Sequence, residues 1–170
     1  FCSPTAVGDA VFSLGFSVIN HANKNVGDKG SDGAQDTISY WSKKDGATLV
    51  GLYQSDSMLE TIPLRVVNGI RFSFLGITEN VNKDLPSDNL PYVISLNEEG
   101  KTTAEVYNRV KSLIKKAESI SDVVVVSVHF DGNEAKEPSS TQQDVVGYLV
   151  SFGADVIIGS GTNSVQPIEF

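Results

Sequence analysis

Two apolar runs rich in valine and isoleucine, VVVVSVHF at 123–130 and ADVIIG at 154–159, constrain this chain more than anything else in it. Each stops at a cluster of glycine and polar residues, and a helix-length segment, STQQDVVGYLVSFG, lies between them. Runs of β-branched residues of this length are how buried parallel strands read. Strand, helix, strand is the βαβ order, and open sheets of such units place their chemistry in loops at the carboxyl ends of the strands. Those loops hold His129, Asp131 and Glu134 after the first run, and Gly159, Ser160, Gly161, Thr162 and Asn163 after the second.

The remainder of the chain extends the same alternation. Ser3-Pro4 reads as an N-cap followed by proline at the first helical position, with Val7, Ala10, Val11 and Leu14 at helical spacing up to Gly15. FSVINHA (16–22) is a short strand, ending in the polar loop NKNVGDKGSDG. A second helix is expected over 34–44, with Ile38 and Trp41 on one face, and TLVGLY (48–53) is the next strand. Asn68-Gly69 sits between two β-rich runs in LRVVNGIRFSFLGIT, which is the type I′ hairpin signal. Residues 79–91 carry two prolines and no periodicity, and read as a long surface loop. A third helix over 103–118 sets Val106, Val110, Leu113, Ile114 and Ala117 on one stripe. The expectation is one domain over 1–170, of α/β class, with a layered sheet and helices packed outside.

Composition excludes several functions. A net charge of −8 disfavours a nucleic-acid-binding surface and direct attraction to anionic lipid. The lone Cys2 rules out an internal disulfide framework and a cysteine-rich zinc site. No apolar run approaches the roughly 18–20 residues of a membrane span. Phe1 is not a natural start, so further sequence upstream is expected.

Several constellations admit both a chemical and a plain reading. His129 is either a metal ligand or general base with Asp131 and Glu134 nearby, or a histidine that merely ends a buried strand. Gly159-Ser160-Gly161 resembles an anion cradle, but SVQPIEF reads as extended, so no helix N-terminus backs it. Gly100-Lys101-Thr102 matches only the end of a phosphate loop, since Ser95 stands where its first glycine belongs; Thr102 or Thr103 is a helix cap instead. The cluster of Asn20, His21, Asn23, Lys24, Asn25 and Asp28 suits a metal or oxyanion, yet such residues also shape loops for conformational reasons alone.

Taken together, these segments resemble the CapA-type family of bacterial poly-γ-glutamate capsule synthesis proteins, in order and over essentially the whole chain. The opening matches that family's helix, its "GFD" strand and its "ANNHALDxG" loop; NGIRFSFLGIT matches its hairpin strand; SDVVVVSVHF matches "DVVIVSVHWG". FGADVIIGSGTNSVQPIEF matches "AGADVVIGHHPHVLQPIE", with Gly153, Ala154, Asp155, Gly159, Gln166, Pro167 and Glu169 in register. The resemblance implies a calcineurin-like metallophosphatase fold, a layered sheet sandwich with outer helices. It also implies an incomplete domain, with the family's first metal-binding strand before Phe1 and its final strands after Phe170.

The departures bear on chemistry. Anchored on Asp28-Lys29-Gly30, Asn23 takes the first Asn of the family's NNH, Lys24 stands where its metal-binding Asn belongs, and Asn25 where its His belongs. Ser160, Gly161 and Asn163 replace the three histidines of GHHPH; His129 is kept, and Glu134 lies one position off the family's glutamate. Amides and a hydroxyl are poor substitutes for imidazole at a transition-metal site, and an ammonium repels the cation. The expectation is therefore no metal and no catalytic group beyond the candidate His129. Asn23, Lys24, Asn25, His129, Asp131, Glu134, Ser160 and Asn163 then line a binding site for a polyanionic polymer or a capsule-assembly protein. The resemblance implies an extracytoplasmic place, with membrane attachment only through an anchor outside these residues. The alternative is a hydrolase of phosphoester or γ-glutamyl bonds, using manganese or zinc with ligands from outside 1–170.

Overall fold

Asn68 and Gly69 both adopt positive φ, +52° and +84°, as a type I′ turn requires, and fold Leu64–Val67 (β3) back on Ile70–Thr78 (β4). The computed structural model describes residues 2–82, 93–132 and 134–170. From β4 the sheet continues with parallel Val123–His129 (β5) and Val156–Ser160 (β6), in the order β3-β4-β5-β6. A second, two-stranded sheet pairs Val18–Asn20 (β1) with Thr48–Val50 (β2), also parallel. The helices are Thr5–Ser13 (α1), Gly30–Ser42 (α2), Asp56–Leu59 (α3), Thr103–Ile120 (α4) and Ser140–Phe152 (α5). The α/β class and the two-sheet layering with helices hold as expected.

Burial along β5 alternates. Val124, Val126 and Val128 are fully buried, whereas Val123, Val125, Ser127 and His129 are half-buried on the other face. The valines on the first face join Leu75 and Ile77 of β4, the α4 stripe of Val106, Val110, Leu113, Ile114 and Ala117, and Val145 and Leu149 of α5 in the main core. Of the two threonines expected as a cap, Thr102 starts α4 in a capping box with Glu105, and a capping box between Ser139 and Gln142 starts α5. Gly153, at φ +112°, ends α5 and sends the chain into β6.

The opposite face of the large sheet meets the small sheet through polar groups. Asn20 Nδ2 donates to Ser127 Oγ at 2.9 Å, and the Ala22 N–H donates to Asn20 Oδ1 at 2.9 Å. Gly51 and Gly76 let the backbones close around that carboxamide: a Cβ on Gly76 would lie 2.3 Å from Asn20 Oδ1 and 2.8 Å from Gly51 Cα. Arg65 of β3 adds a second tie, donating to Thr48 Oγ1 at 2.8 Å and to the Gly46 carbonyl.

Several boundaries differ from the sequence reading. α2 starts at Gly30 and ends at Ser42, because Ser31 and Asp32 are absorbed into a first turn where an acidic group is favourable. Only Val18–Asn20 and Thr48–Val50 are regular strand within the two longer runs expected, since Gly51 turns away at φ +76°. The N-cap of α1 is Pro4, with no side-chain cap, and none of that helix is buried. Its apolar stripe instead borders a groove of about 630 Å³ beside β1, where Val7 and Val11 face Ile19, Tyr40 and Trp41. Asp9 anchors the helix through Tyr40 (2.8 Å) and Lys44. Of the loop expected over 79–91, the part from 83 lies outside the described residues. Past it, Ile94 and Leu96 are buried, and Ser95 bridges Thr78.

Candidate functional site

Four segments converge at the carboxyl ends of the parallel strands: the loop after β1, residues 79–82 after β4, the end of β5, and the loop after β6. The first is shaped by its own amides. Asn23 Nδ2 donates to the His21 carbonyl (3.0 Å) and its Oδ1 accepts from the Asn25 N–H (2.9 Å). Asn23 is therefore spent on loop conformation, the plain reading of such a cluster. The loop holds Lys24 half-buried beside the end of β5. None of the ion pairs among the described residues includes Lys24.

His129 ends β5, opposite Ser160 in register on β6. Ser160 Oγ lies 3.4 Å from His129 Nδ1, a long contact, and Nε2 is buried with no hydrogen-bond partner among the described residues. Gly161, at φ +89°, presses on that ring: a Cβ there would stand 2.9 Å from Nε2 and 2.2 Å from the Phe130 carbonyl oxygen. Burial first, then the Lys24 ammonium, push His129 below the ordinary imidazole value of 6.5, while Asp131 pulls the other way. The imidazole is thus neutral near pH 7. Glu134 is exposed, and among the described residues it enters through its N–H, which donates to the Thr162 carbonyl (3.0 Å). Asn163 is also exposed, its side chain lying over Gly132. Lys24, His129, Asp131 and Ser160 are brought together; the side chains of Asn23 and Asn25 are engaged within and beside their loop.

His21 has a different task. The Trp41 indole N–H donates to His21 Nε2 at 2.8 Å, so that nitrogen must be unprotonated, and burial pushes the ring's titration down. Both histidines therefore take up protons more readily in the unfolded chain. Their stabilising contribution is complete above 6.5 and is lost as pH falls from there through the folded values. Arg71 holds Asp122 at about 2, so that ion pair weakens only below the ordinary carboxylate value of 3.8. Urea midpoints followed from about pH 8 to about pH 5 should decline below 6.5; a flat profile across that window would contradict the placement of both rings.

The sequence reading missed the residues after β4. The Glu79 N–H donates to the His129 carbonyl (2.8 Å), Glu79 Oε2 accepts from the Asp131 N–H (2.9 Å), and Asn80 Nδ2 donates to Asp131 Oδ2 (2.6 Å). Asn97 holds Asn80 in turn, at 2.9 Å. Asn82 reaches the first loop, donating from its N–H to the Lys24 carbonyl (2.7 Å) and from its amide to Asn25 Oδ1 (2.8 Å). The signal was available: β4 is also a parallel strand, and its carboxyl end runs straight into Glu79 and Asn80.

A family described as "Bacterial capsule synthesis protein PGA_cap" matches residues 1–170, the whole chain. The chain belongs to this family. It is similar to the "PGA biosynthesis protein CapA" of Bacillus subtilis (strain 168), 26% identical over 92% of this chain and 39% of the relative. It is likewise similar to the "Capsule biosynthesis protein CapA" of Bacillus anthracis, 27% identical over 94% of this chain and 38% of that relative. The chain thus spans about two fifths of the length of either.

The described residues at this pole do not fit the two-metal centre of a metallophosphatase. A dinuclear site needs several anionic or imidazole donors around two cations. Here one imidazole is present, the charges acting on it are an ammonium and the Asp131 carboxylate already bonded to Asn80, the Glu79 carboxylate accepts from the Asp131 N–H, and Asn25 faces Asn82. Among the described residues no three His, Cys, Asp or Glu side chains form a group able to hold a metal ion.

Proposed function

We propose that this chain is a non-catalytic module of capsule biosynthesis, in which Lys24, His129 and the Gly159–Asn163 loop form a binding site for carboxylate groups of a polyanionic polymer. The observation that carries the reading is the half-buried Lys24 ammonium, unpaired among the described residues, beside a neutral imidazole in a chain of net charge −8. A local cation attracts carboxylates that reach this pole, while the acidic surface around it repels those that approach elsewhere. Ser160 Oγ and the loop backbone supply further hydrogen bonds. The names of the relatives support capsule polymer as the target, poly-γ-glutamate in particular, and a place at the cell envelope. No helix of the described residues is long and apolar enough to cross a membrane. In this reading any membrane attachment comes from outside these residues.

The test is calorimetric titration with γ-linked glutamate oligomers at low salt. A charge-assisted hydrogen bond contributes about 1.5–3 kcal/mol, so Lys24→Met should weaken binding by about tenfold or more, and added salt should weaken the wild type more than the variant. Equal affinity of the two proteins would remove the reading. One observation favours a second reading, a metal-dependent hydrolase completed by ligands from elsewhere: the buried His129 Nε2 has no partner among the described residues, and a cation would satisfy it.

A further inference from the structure

We infer that Asn82 is the positioning residue for Lys24: it fixes the loop that carries the ammonium against the end of β5. The inference rests on the reading that Lys24 is the anion-binding group. From Asn23 to Val26, and at the Asp28 N–H, the bonds among the described residues other than those from Asn82 are local. Asn23 caps Asn25, the Val26 N–H donates to the Asn23 carbonyl (3.1 Å), and the Asp28 N–H donates to the Asn25 carbonyl (3.0 Å). These bonds shape a turn but do not set which way the turn faces. Among the described residues, the bonds that tie Lys24 and Asn25 to another element both come from Asn82, one from its N–H and one from its side-chain amide.

The other end of that bridge is held just as firmly. Thr78 Oγ1 donates to the Asn80 carbonyl (2.8 Å), and Glu79 and Asn80 bond to both sides of the β5 terminus, at the His129 carbonyl and at Asp131. Residues 78–82 are therefore a strap clamped to His129–Asp131 at one end and to Lys24–Asn25 at the other. The strap sets the separation of ammonium and imidazole. It also occupies its own carboxylates, since Glu79 Oε2 and Asp131 Oδ2 accept from N–H donors of the same strap and strand. Asn82 contributes a donor at its side chain; an aspartate there would oppose the Asn25 oxygen and add a negative charge beside Lys24.

The imidazole of His129 reports the position of Lys24 without any ligand. NMR titration of both histidines in the intact chain, in wild type, Lys24→Met, Asn82→Ala and the double variant, tests the inference. Lys24→Met should raise the His129 titration point; Asn82→Ala, which removes the side-chain bond to Asn25 but keeps the backbone bond to Lys24, should produce part of the same rise, and the double variant should add nothing beyond Lys24→Met. His21, locked against Trp41, should stay put in all four. The inference is overturned if Asn82→Ala leaves His129 at its wild-type value, if the double variant exceeds Lys24→Met, or if His21 moves as well, which would indicate general loosening. Binding of γ-linked glutamate oligomers should fall in Asn82→Ala as in Lys24→Met. Should Lys24→Met bind them normally, the carboxylate-site reading fails, while the His129 titrations still decide the role of Asn82.

Discussion

Gly76→Ala should lower stability by about 3 kcal/mol, the upper end of what one added methyl costs in a filled interior. Gly76 pairs with Ser127 across β4 and β5, and its missing side chain would point at the small sheet. The methyl would stand 2.3 Å from Asn20 Oδ1 and 2.8 Å from Gly51 Cα, and backbone is not a neighbour that can swing aside. Relief requires moving the two sheets apart, which breaks the Asn20–Ser127 bond and shifts the loop that begins at His21. The loss should appear as a lower urea midpoint at unchanged slope. Gly147→Ala is the control. It lies in α5, exposed, with nothing within 4 Å of the added methyl, so it should gain about 0.5–1 kcal/mol from helix propensity. Equal effects at the two positions would mean that the sheets do not meet as described.

Gly161→Ala should cost about as much, about 3 kcal/mol, by another route. A side chain at φ +89° is strained whatever space surrounds it, at about 1 kcal/mol or more. Its Cβ would also stand 2.2 Å from the Phe130 carbonyl and 2.9 Å from Cε1 and Nε2 of His129. The Phe130 backbone is held through its N–H, which donates to the Ser160 carbonyl (2.8 Å), so the ring is what gives way, and the variant should move His129 off Ser160. Two readouts follow: a reduced urea midpoint, and a changed His129 titration with His21 unaffected. A variant as stable as wild type would show that the loop after β6 takes another path.

How much could be read in advance followed the range of the interactions. Asn68-Gly69 announced its turn because both positive φ values are local requirements. The threonine pair announced a cap without deciding between Thr102 and Thr103, and Glu105 three residues on is what selects Thr102. The α4 stripe followed from periodicity alone, whereas the unbroken apolar run of β5 gave no sign that its burial alternates. The seam between the sheets did not, since Asn20 and Ser127 are 107 residues apart and nothing in either neighbourhood marks the pair. The strap shows the same limit: Asn82 bonds to Lys24 and Asn25 across more than fifty residues, with no spacing to betray it. The four-residue α3 lacks the length to show periodicity. His21 looked like its polar neighbours until Trp41 was seen to hold it. Lys24 and the loop after β6 stood out by resemblance, because the chain departs there from a pattern it otherwise follows.

The most direct measurement is the metal content of the intact protein, purified as its host makes it and without chelators. Among the described residues an ammonium, amides, a hydroxyl and two carboxylates already bonded to N–H donors around one neutral imidazole do not offer the donor set that two divalent cations need. Elemental analysis should therefore find far less than one equivalent of manganese, zinc or iron per chain, unchanged by His129→Ala. Two equivalents that survive dialysis and disappear in His129→Ala would contradict the account.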